Sequence, residues 1–291
     1  MSKNIIISSF AVILASIFFV INDAIINYLA PLGIKFYHFI FYGTPAFISV
    51  PLYFFYIGKL KKKMYSSNYF IPLLRSILLA PLPFFTFVSL KNMSLPEFTT
   101  INMSAPIFGG VLSIIFLKDK FNFYIFISLF LGFVGVLLVI QPGFETFNIY
   151  FLLTLFSSLI IAFNTFLTNK YNQNTSAIGY FIYGGILIHV ISLIIFFYDP
   201  LSINLYIFFL ITIASIFINL AIFLMVFAFQ YSQKYYASVF CLVYLQILWT
   251  SIIGFVFFNE LLNNLAFLGA FTIVLSGIIS IPGQYKQINE Q

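Results

Sequence analysis

Apolar residues run along this chain in long blocks, each closed by a short polar connector. With a window of about 20 residues, the blocks fall near 5–30, 35–57, 70–91, 96–117, 122–141, 149–169, 176–198, 204–231, 236–258 and 263–282. A helix rises about 1.5 Å per residue and a hydrocarbon core is about 30 Å thick, so each block has the length of one bilayer crossing. Ten membrane-spanning helices are therefore expected. The longest connector runs only from Gly58 to Tyr69, which leaves no stretch for a soluble domain. The first block carries Asn22 and Asp23 and lacks a clear small-residue cleavage site, so it reads as a mature helix rather than a signal peptide.

Composition supports the same class. Mean hydropathy is +1.09, with 62% hydrophobic and 7% charged residues, against about 25% charged in a soluble domain. The chain is read as an all-α polytopic membrane protein. Phe, Ile, Asn, Lys and Tyr are residues of AT-rich codons, so a single Asn carries little weight. The one cysteine, Cys241, lies in an apolar run; it permits no intrachain disulfide or cysteine metal site and reads as packing.

Basic residues set the orientation. With a cytoplasmic N-terminus, eleven fall inside (Lys3, Lys59, Lys61, Lys62, Lys63, Arg75, Lys118, Lys120, Lys170, Lys234 and Lys286) and two, Lys35 and Lys91, outside. Both termini are then cytoplasmic, and the expected location is the inner membrane of a bacterial cell. The net charge of +6 follows from topology and calls for no nucleic-acid partner. The cluster at 59–63 holds its loop inside and touches anionic lipid.

The chain also repeats itself. At an offset of 141, Phe116-Leu-Lys-Asp-Lys lies over Phe257-Phe-Asn-Glu-Leu; Pro142-Gly143 and Pro282-Gly283 close the fifth and tenth segments at 140; Asn22-Asp-Ala-Ile-Ile-Asn27 lies over Asn164-Thr-Phe-Leu-Thr-Asn169 at 142. The bland alternative is chance similarity between oily segments; three landmarks within one residue of the same offset speak against it. Residues 1–143 and 144–291 are expected to form two five-helix units. Five is odd, so the second unit enters the membrane from the opposite face, an arrangement common in secondary transporters.

Leu74-Arg-Ser-Ile-Leu78, Leu95-Pro-Glu-Phe-Thr-Thr-Ile-Asn-Met-Ser-Ala-Pro106, Phe116-Leu-Lys-Asp119, Leu131-Gly-Phe-Val-Gly-Val-Leu-Leu-Val-Ile-Gln-Pro-Gly143 and Asn259-Glu260 together resemble the EamA-type drug/metabolite transporter superfamily over essentially the whole chain. Asp119 departs mildly, where the family more often has Glu. The resemblance implies ten helices in two inverted repeats, a central cavity lined mainly by helices 1, 3, 4, 6, 8 and 9, and alternating access. The Asn22-Asp23 pair is similar to that of S-adenosylmethionine uptake proteins within the superfamily.

Eight residues are candidates for binding substrate: Asn22, Asp23, Asn102, Asn164, Asn219, Tyr244, Gln246 and Trp249. A carboxylate at mid-span costs about 2.5–3.5 kcal/mol on translocon scales, so Asp23 is expected to face water or substrate; the alternative is a protonated Asp23 bonding between helices. Asp23 sits in the outer half of the first span and Asn164 in the inner half of the sixth. Pro106 crowds the carbonyl of Asn102 and predicts a kink there. Glu97 reads as half of a Ser94-Leu-Pro-Glu97 capping box, the alternative being an inward-facing acid. Pro81 and Pro83 predict a second distortion. Arg75 is expected to snorkel to the cytoplasmic interface. Asn219, Gln246, Tyr244 and Trp249 lie on cavity helices, and the two aromatics suit either stacking on a cationic substrate or packing. His189 suits an interhelical hydrogen bond more than proton relay; His38 lies near an interface. Gly109, Gly110, Gly132, Gly135, Gly269 and Gly277 suit close helix packing or contact with a second copy as a homodimer.

No phosphate-binding glycine loop, zinc helix, nucleophile elbow or metal cluster is present in the sequence, so neither enzyme chemistry nor a cofactor is expected. Secondary transport of a small polar organic metabolite, driven by substrate exchange or by a coupling proton or sodium ion, is the leading reading. A membrane-embedded interaction or lipid-handling protein is the alternative; transport reshaped by Asp23→Asn favours the carrier, and altered assembly with unchanged flux the competitor.

Overall fold

An apolar segment in lipid satisfies its backbone by coiling into a helix. The computed structural model describes residues 3–117, 123–140, 149–232, 235–258 and 264–289, and within them the apolar blocks are predominantly helical. Lys118 to Lys120, Pro142-Gly143, Lys234 and Asn259-Glu260 lie outside the described residues. Among the described residues, seven helical stretches, 4–32, 36–56, 70–92, 149–170, 177–198, 205–232 and 236–257, are long and apolar enough to cross a membrane, and 105–116 and 123–138 are shorter apolar helices. The chain is thus an all-helical polytopic membrane protein.

The unbroken helices are α1 (Lys3–Leu29), α2 (Phe36–Tyr56) and α3 (Leu60–Lys63), then, further along, α8 (Phe123–Ile140), α9 (Ile149–Lys170), α10 (Ala177–Tyr198), α11 (Leu205–Ser232) and α14 (Asn264–Asn289). Three spans are divided. The third parts between α4 (Phe70–Leu79) and α5 (Leu82–Asn92), at the prolines that predict it. The fourth parts between α6 (Leu95–Asn102) and α7 (Ala105–Leu112), just before Pro106, and ends in a π turn over Ser113–Leu117. The ninth parts with no proline: α12 (Tyr236–Cys241) passes through a tighter turn, Leu242–Leu245, into α13 (Gln246–Phe258). One expectation fails. Pro282-Gly283 does not close the last helix, which continues to Asn289; a proline costs a helix one hydrogen bond and one strained carbonyl, a cost that need not end it.

Helix α1 lies along α11, α9 along α4 and α5, α2 along α10, and α8 along α14; α7 packs on α9, α13 on α1, and α6 on α13. Glycines make the tightest of these contacts. A Cβ on Gly135 would stand 2.8 Å from the Gly269 carbonyl oxygen, while the hollow at Gly132 takes the Tyr244 ring and that at Gly109 the Phe240 ring. Gly277, expected in the same role, would meet nothing within 4 Å.

Among the described residues the apolar interior has two large clusters and three small ones. One large core gathers Ile5, Val12, Phe166, Phe229, Tyr236 and Phe240; the other gathers Ile26, Leu29, Phe39, Phe87, Leu90 and Phe98. Outside, Phe10, Phe55, Phe130, Phe197, Phe209 and Phe271 are exposed, a surface that suits acyl chains rather than water.

Candidate functional site

Along α1, contacts to the first core end at Val12 and contacts to the second begin at Ala24. Ser16, Asn22 and Asp23 occupy the stretch between. Asp23 is 6% exposed, so its carboxylate lies inside the protein and not against lipid. The Asn22 amide nitrogen donates to Asp23 Oδ1 at 3.1 Å. Among the described residues no cationic nitrogen lies within salt-bridge distance of Asp23, and Asn22 Oδ1 is sealed without a partner.

Helices α1, α6 and α13 pack on one another and carry three of the six other expected residues. Asn102 ends α6 at the break before Pro106, its Oδ1 sealed and partnerless. Gln246 opens α13 and is buried. Trp249 Nε1 donates to Ser16 Oγ at 3.1 Å, joining α13 to α1, and Thr250 donates to Thr99 at 3.2 Å, joining α13 to α6. The fold thus brings Asn22, Asp23, Asn102, Gln246 and Trp249 onto three touching helices.

A second polar centre lies on α4, α9 and α10. Arg75 is 4% exposed and does not snorkel. Its Nε donates to Asn164 Oδ1 at 2.7 Å and its Nη1 to the Tyr180 carbonyl at 3.2 Å, while Asn164 Nδ2 donates back to the Arg75 carbonyl at 3.3 Å. The guanidinium carbon stands 4.8 Å from the Tyr180 ring centre, within cation–π range. No carboxylate lies within salt-bridge distance among the described residues. Snorkelling fails because three helices offer a hydrogen-bonding seat closer than the interface. Asn164 was legible as a polar residue within a span; nothing local in the sequence pairs it with Arg75.

The remaining candidates stand apart. Asn219 donates to the Ser215 carbonyl on its own helix at 2.7 Å. Tyr244 is buried, fills the Gly132 hollow and donates to the Leu129 carbonyl at 3.2 Å, the arrangement of a packing aromatic. His189 bonds the Gly185 carbonyl of its own helix at 2.8 Å and stacks on Phe47, ring centres 4.0 Å apart; the expected bond between helices is therefore a ring contact. Glu97 is a cap: Ser94 N donates to its carboxylate at 3.0 Å and its own N–H to Ser94 Oγ at 3.4 Å.

Two sets of bonds tie the connectors. On one face Lys35 pairs with Asp199 at 2.7 Å, Tyr37 donates to the same carboxylate, His38 Nε2 meets the Asp199 carbonyl at 2.7 Å and Tyr42 donates to the Leu201 carbonyl. The hydrogen bond from Lys35 holds the Asp199 carboxyl below its ordinary range, and that bond in turn raises Lys35. The other tie joins Ser66 to Thr175 at 2.7 Å and Ser67 N to the Asn174 carbonyl at 2.7 Å. Beside it opens a cavity of about 650 Å³, lined by Asn4, Lys62, Lys63, Tyr65, Gln230 and Tyr231 among others.

Residues 2–141 match the EamA-like transporter family. Two relatives are S-adenosylmethionine uptake transporters. That of Rickettsia bellii (strain RML369-C) is 25% identical over 255 residues, 84% of each chain. That of Rickettsia conorii (strain ATCC VR-613 / Malish 7) is 23% identical over 278 residues, 93% of this chain and 90% of the relative. A solved crystal structure, 12% identical, aligns over 96% of both chains with a TM-score of 0.69, which speaks to the fold alone.

Proposed function

We propose, from the match of residues 2–141 to the EamA-like transporter family and the likeness of nearly the whole chain to two uptake transporters, that this chain is an EamA-type membrane transporter of the drug/metabolite transporter superfamily, a secondary carrier that moves a small polar organic metabolite by alternating access. The observation that carries the reading is Asp23, a buried carboxylate with no cation beside it among the described residues. Desolvating a carboxylate costs several kcal/mol; a fold that keeps one unpaired between two apolar cores retains it for a partner that comes and goes. The names of the two relatives make S-adenosylmethionine the first substrate to test, and its sulfonium suits Asp23.

Ten spans in two inverted units, 1–143 and 144–291, complete the proposal. The break at 103–104, moved by the offset of 141, falls on 244–245, where the ninth span also breaks. Advancing each span by five turns the α1–α11 pair into the pair of α9 with the third span, and α7–α9 into α13–α1; α2–α10 and α8–α14 map onto themselves. The two connector ties exchange in the same way. Discontinuous helices at matching positions are where transporters of this build place their sites, which favours the α1, α6 and α13 junction, with Asn22, Asp23, Asn102, Gln246 and Trp249 lining it. Both termini are cytoplasmic in this reading, in the inner membrane.

Proteoliposomes tested for S-adenosylmethionine counterflow, with a metabolite panel and imposed proton or sodium gradients, decide it. Saturable uptake that falls at least about tenfold in Asp23→Asn, with thermal stability held or raised because a buried charge is gone, supports the carrier. Wild-type flux in a folded Asp23→Asn, or no saturable uptake of any solute, refutes it.

A further inference from the structure

The buried arginine is more than a strut. Asn164 and Tyr180 occupy Nε and one hydrogen of Nη1, and the Tyr180 ring covers one face of the guanidinium. These are all the bonds Arg75 makes to described residues, and Arg75 contributes none of the sealed, partnerless polar atoms, so Nη2, which carries no bond to a described residue, is not fully sealed. Position 184 on α10 is a glycine: a Cβ there would stand in ordinary contact, 3.9 Å from Nη1 and 3.5 Å from Leu79, so its absence leaves a methyl-sized gap beside Nη1. A guanidinium donates from a planar fork that matches a carboxylate with two parallel hydrogen bonds. A side chain needed only to join three helices has no use for a positive charge, which costs several kcal/mol to bury.

The geometry points to Arg75 as the binding group for the carboxylate of the transported solute, with Nη1 and Nη2 as its donors and Asn164 and Tyr180 as the groups that hold the fork in place. The substrate class then narrows to metabolites that carry a free carboxylate. This assignment rests on the carrier reading above, but its test is separable from it.

The purified chain in nanodiscs is titrated with S-adenosylmethionine and with its decarboxylated analogue, which keeps the sulfonium and the adenosine; the fluorescence of Trp249, the one tryptophan, reports binding. The wild type is expected to favour the carboxylate form by about tenfold or more, the range of a hydrogen bond to a charged group. Arg75→Gln levels the two ligands. Arg75→Lys keeps the charge without the fork and gives an intermediate preference, which keeps the test decisive where the glutamine variant does not accumulate as folded protein. Equal binding of both ligands by the wild type, or an unchanged preference in either folded variant, overturns the assignment. If the wild type binds neither, S-adenosylmethionine fails as the substrate, and Arg75 is read from thermal shifts with sodium propionate against propionamide: a saturable rise with propionate alone, absent in Arg75→Lys, sustains the site, and no such rise overturns it.

Discussion

Asn164→Asp exchanges one amide nitrogen for an oxygen beside the Arg75 guanidinium. The acceptor that takes the 2.7 Å bond from Nε is kept and becomes charged. Charge centres about 4 Å apart at an effective dielectric near 20 attract by about 4 kcal/mol, and desolvating the new carboxylate costs several kcal/mol in the other direction. The bond from Asn164 Nδ2 to the Arg75 carbonyl is lost, at about 1 kcal/mol. The terms nearly cancel, so the melting temperature should stay within about 4 °C of wild type, at 2–4 °C per kcal/mol. Asn164→Ala has no such compensation: a buried charged donor loses its acceptor, about 1.5–3 kcal/mol, together with the return bond, and the melting temperature should drop by roughly 5–15 °C. Binding runs the other way round. A permanent carboxylate on Arg75 competes with that of the solute, so Asn164→Asp should weaken uptake about tenfold or more while remaining folded. The assay is paired: thermal unfolding in detergent and counterflow in proteoliposomes for both variants. An Asn164→Asp protein that transports like wild type, or an Asn164→Ala protein that melts like it, would refute the reasoning.

Two further outcomes test the frame around the site. Gly109→Ala drives a methyl into the Phe240 ring, itself wedged between Phe229 and Tyr236 at 5.0 and 5.4 Å; it should cost about 1–3 kcal/mol, whereas Gly277→Ala, with nothing within 4 Å, should be neutral or gain up to about 1 kcal/mol in the same unfolding assay. The Asp199 carboxyl is held low by its bond from Lys35, so its pairing is complete above the ordinary carboxylate value of about 3.9 and is lost only as pH falls through the lower, folded value; wild type and Asp199→Asn should therefore show parallel stability profiles from pH 5 to 8, with any offset between them shrinking in high salt.

What the sequence disclosed was local. The helical character of the apolar blocks follows from run length, the breaks near Pro81 and Pro106 from a missing N–H, and the Glu97 cap from a three-residue spacing; each signal lies within a few residues of its effect. The buried arginine was not legible, because its seat is an amide 89 residues away and a carbonyl on a third helix, and a lone Arg near the end of an oily run ordinarily reaches for water. Nor was the break over Leu242–Leu245, which contains neither proline nor glycine and answers only to the break in the other half. The residues that escaped local reading share one property: they carry charge or irregularity at a depth where leucine would serve stability better. Replacing buried ions by apolar side chains is often neutral or stabilising, so a chain with 62% hydrophobic residues had ready means to seal its interior. It keeps one carboxylate on α1 and one guanidinium on α4, both buried and neither neutralised by the other or by any described residue. Charges held apart in this way do not strengthen the resting fold; each suits an opposite charge that arrives with a solute.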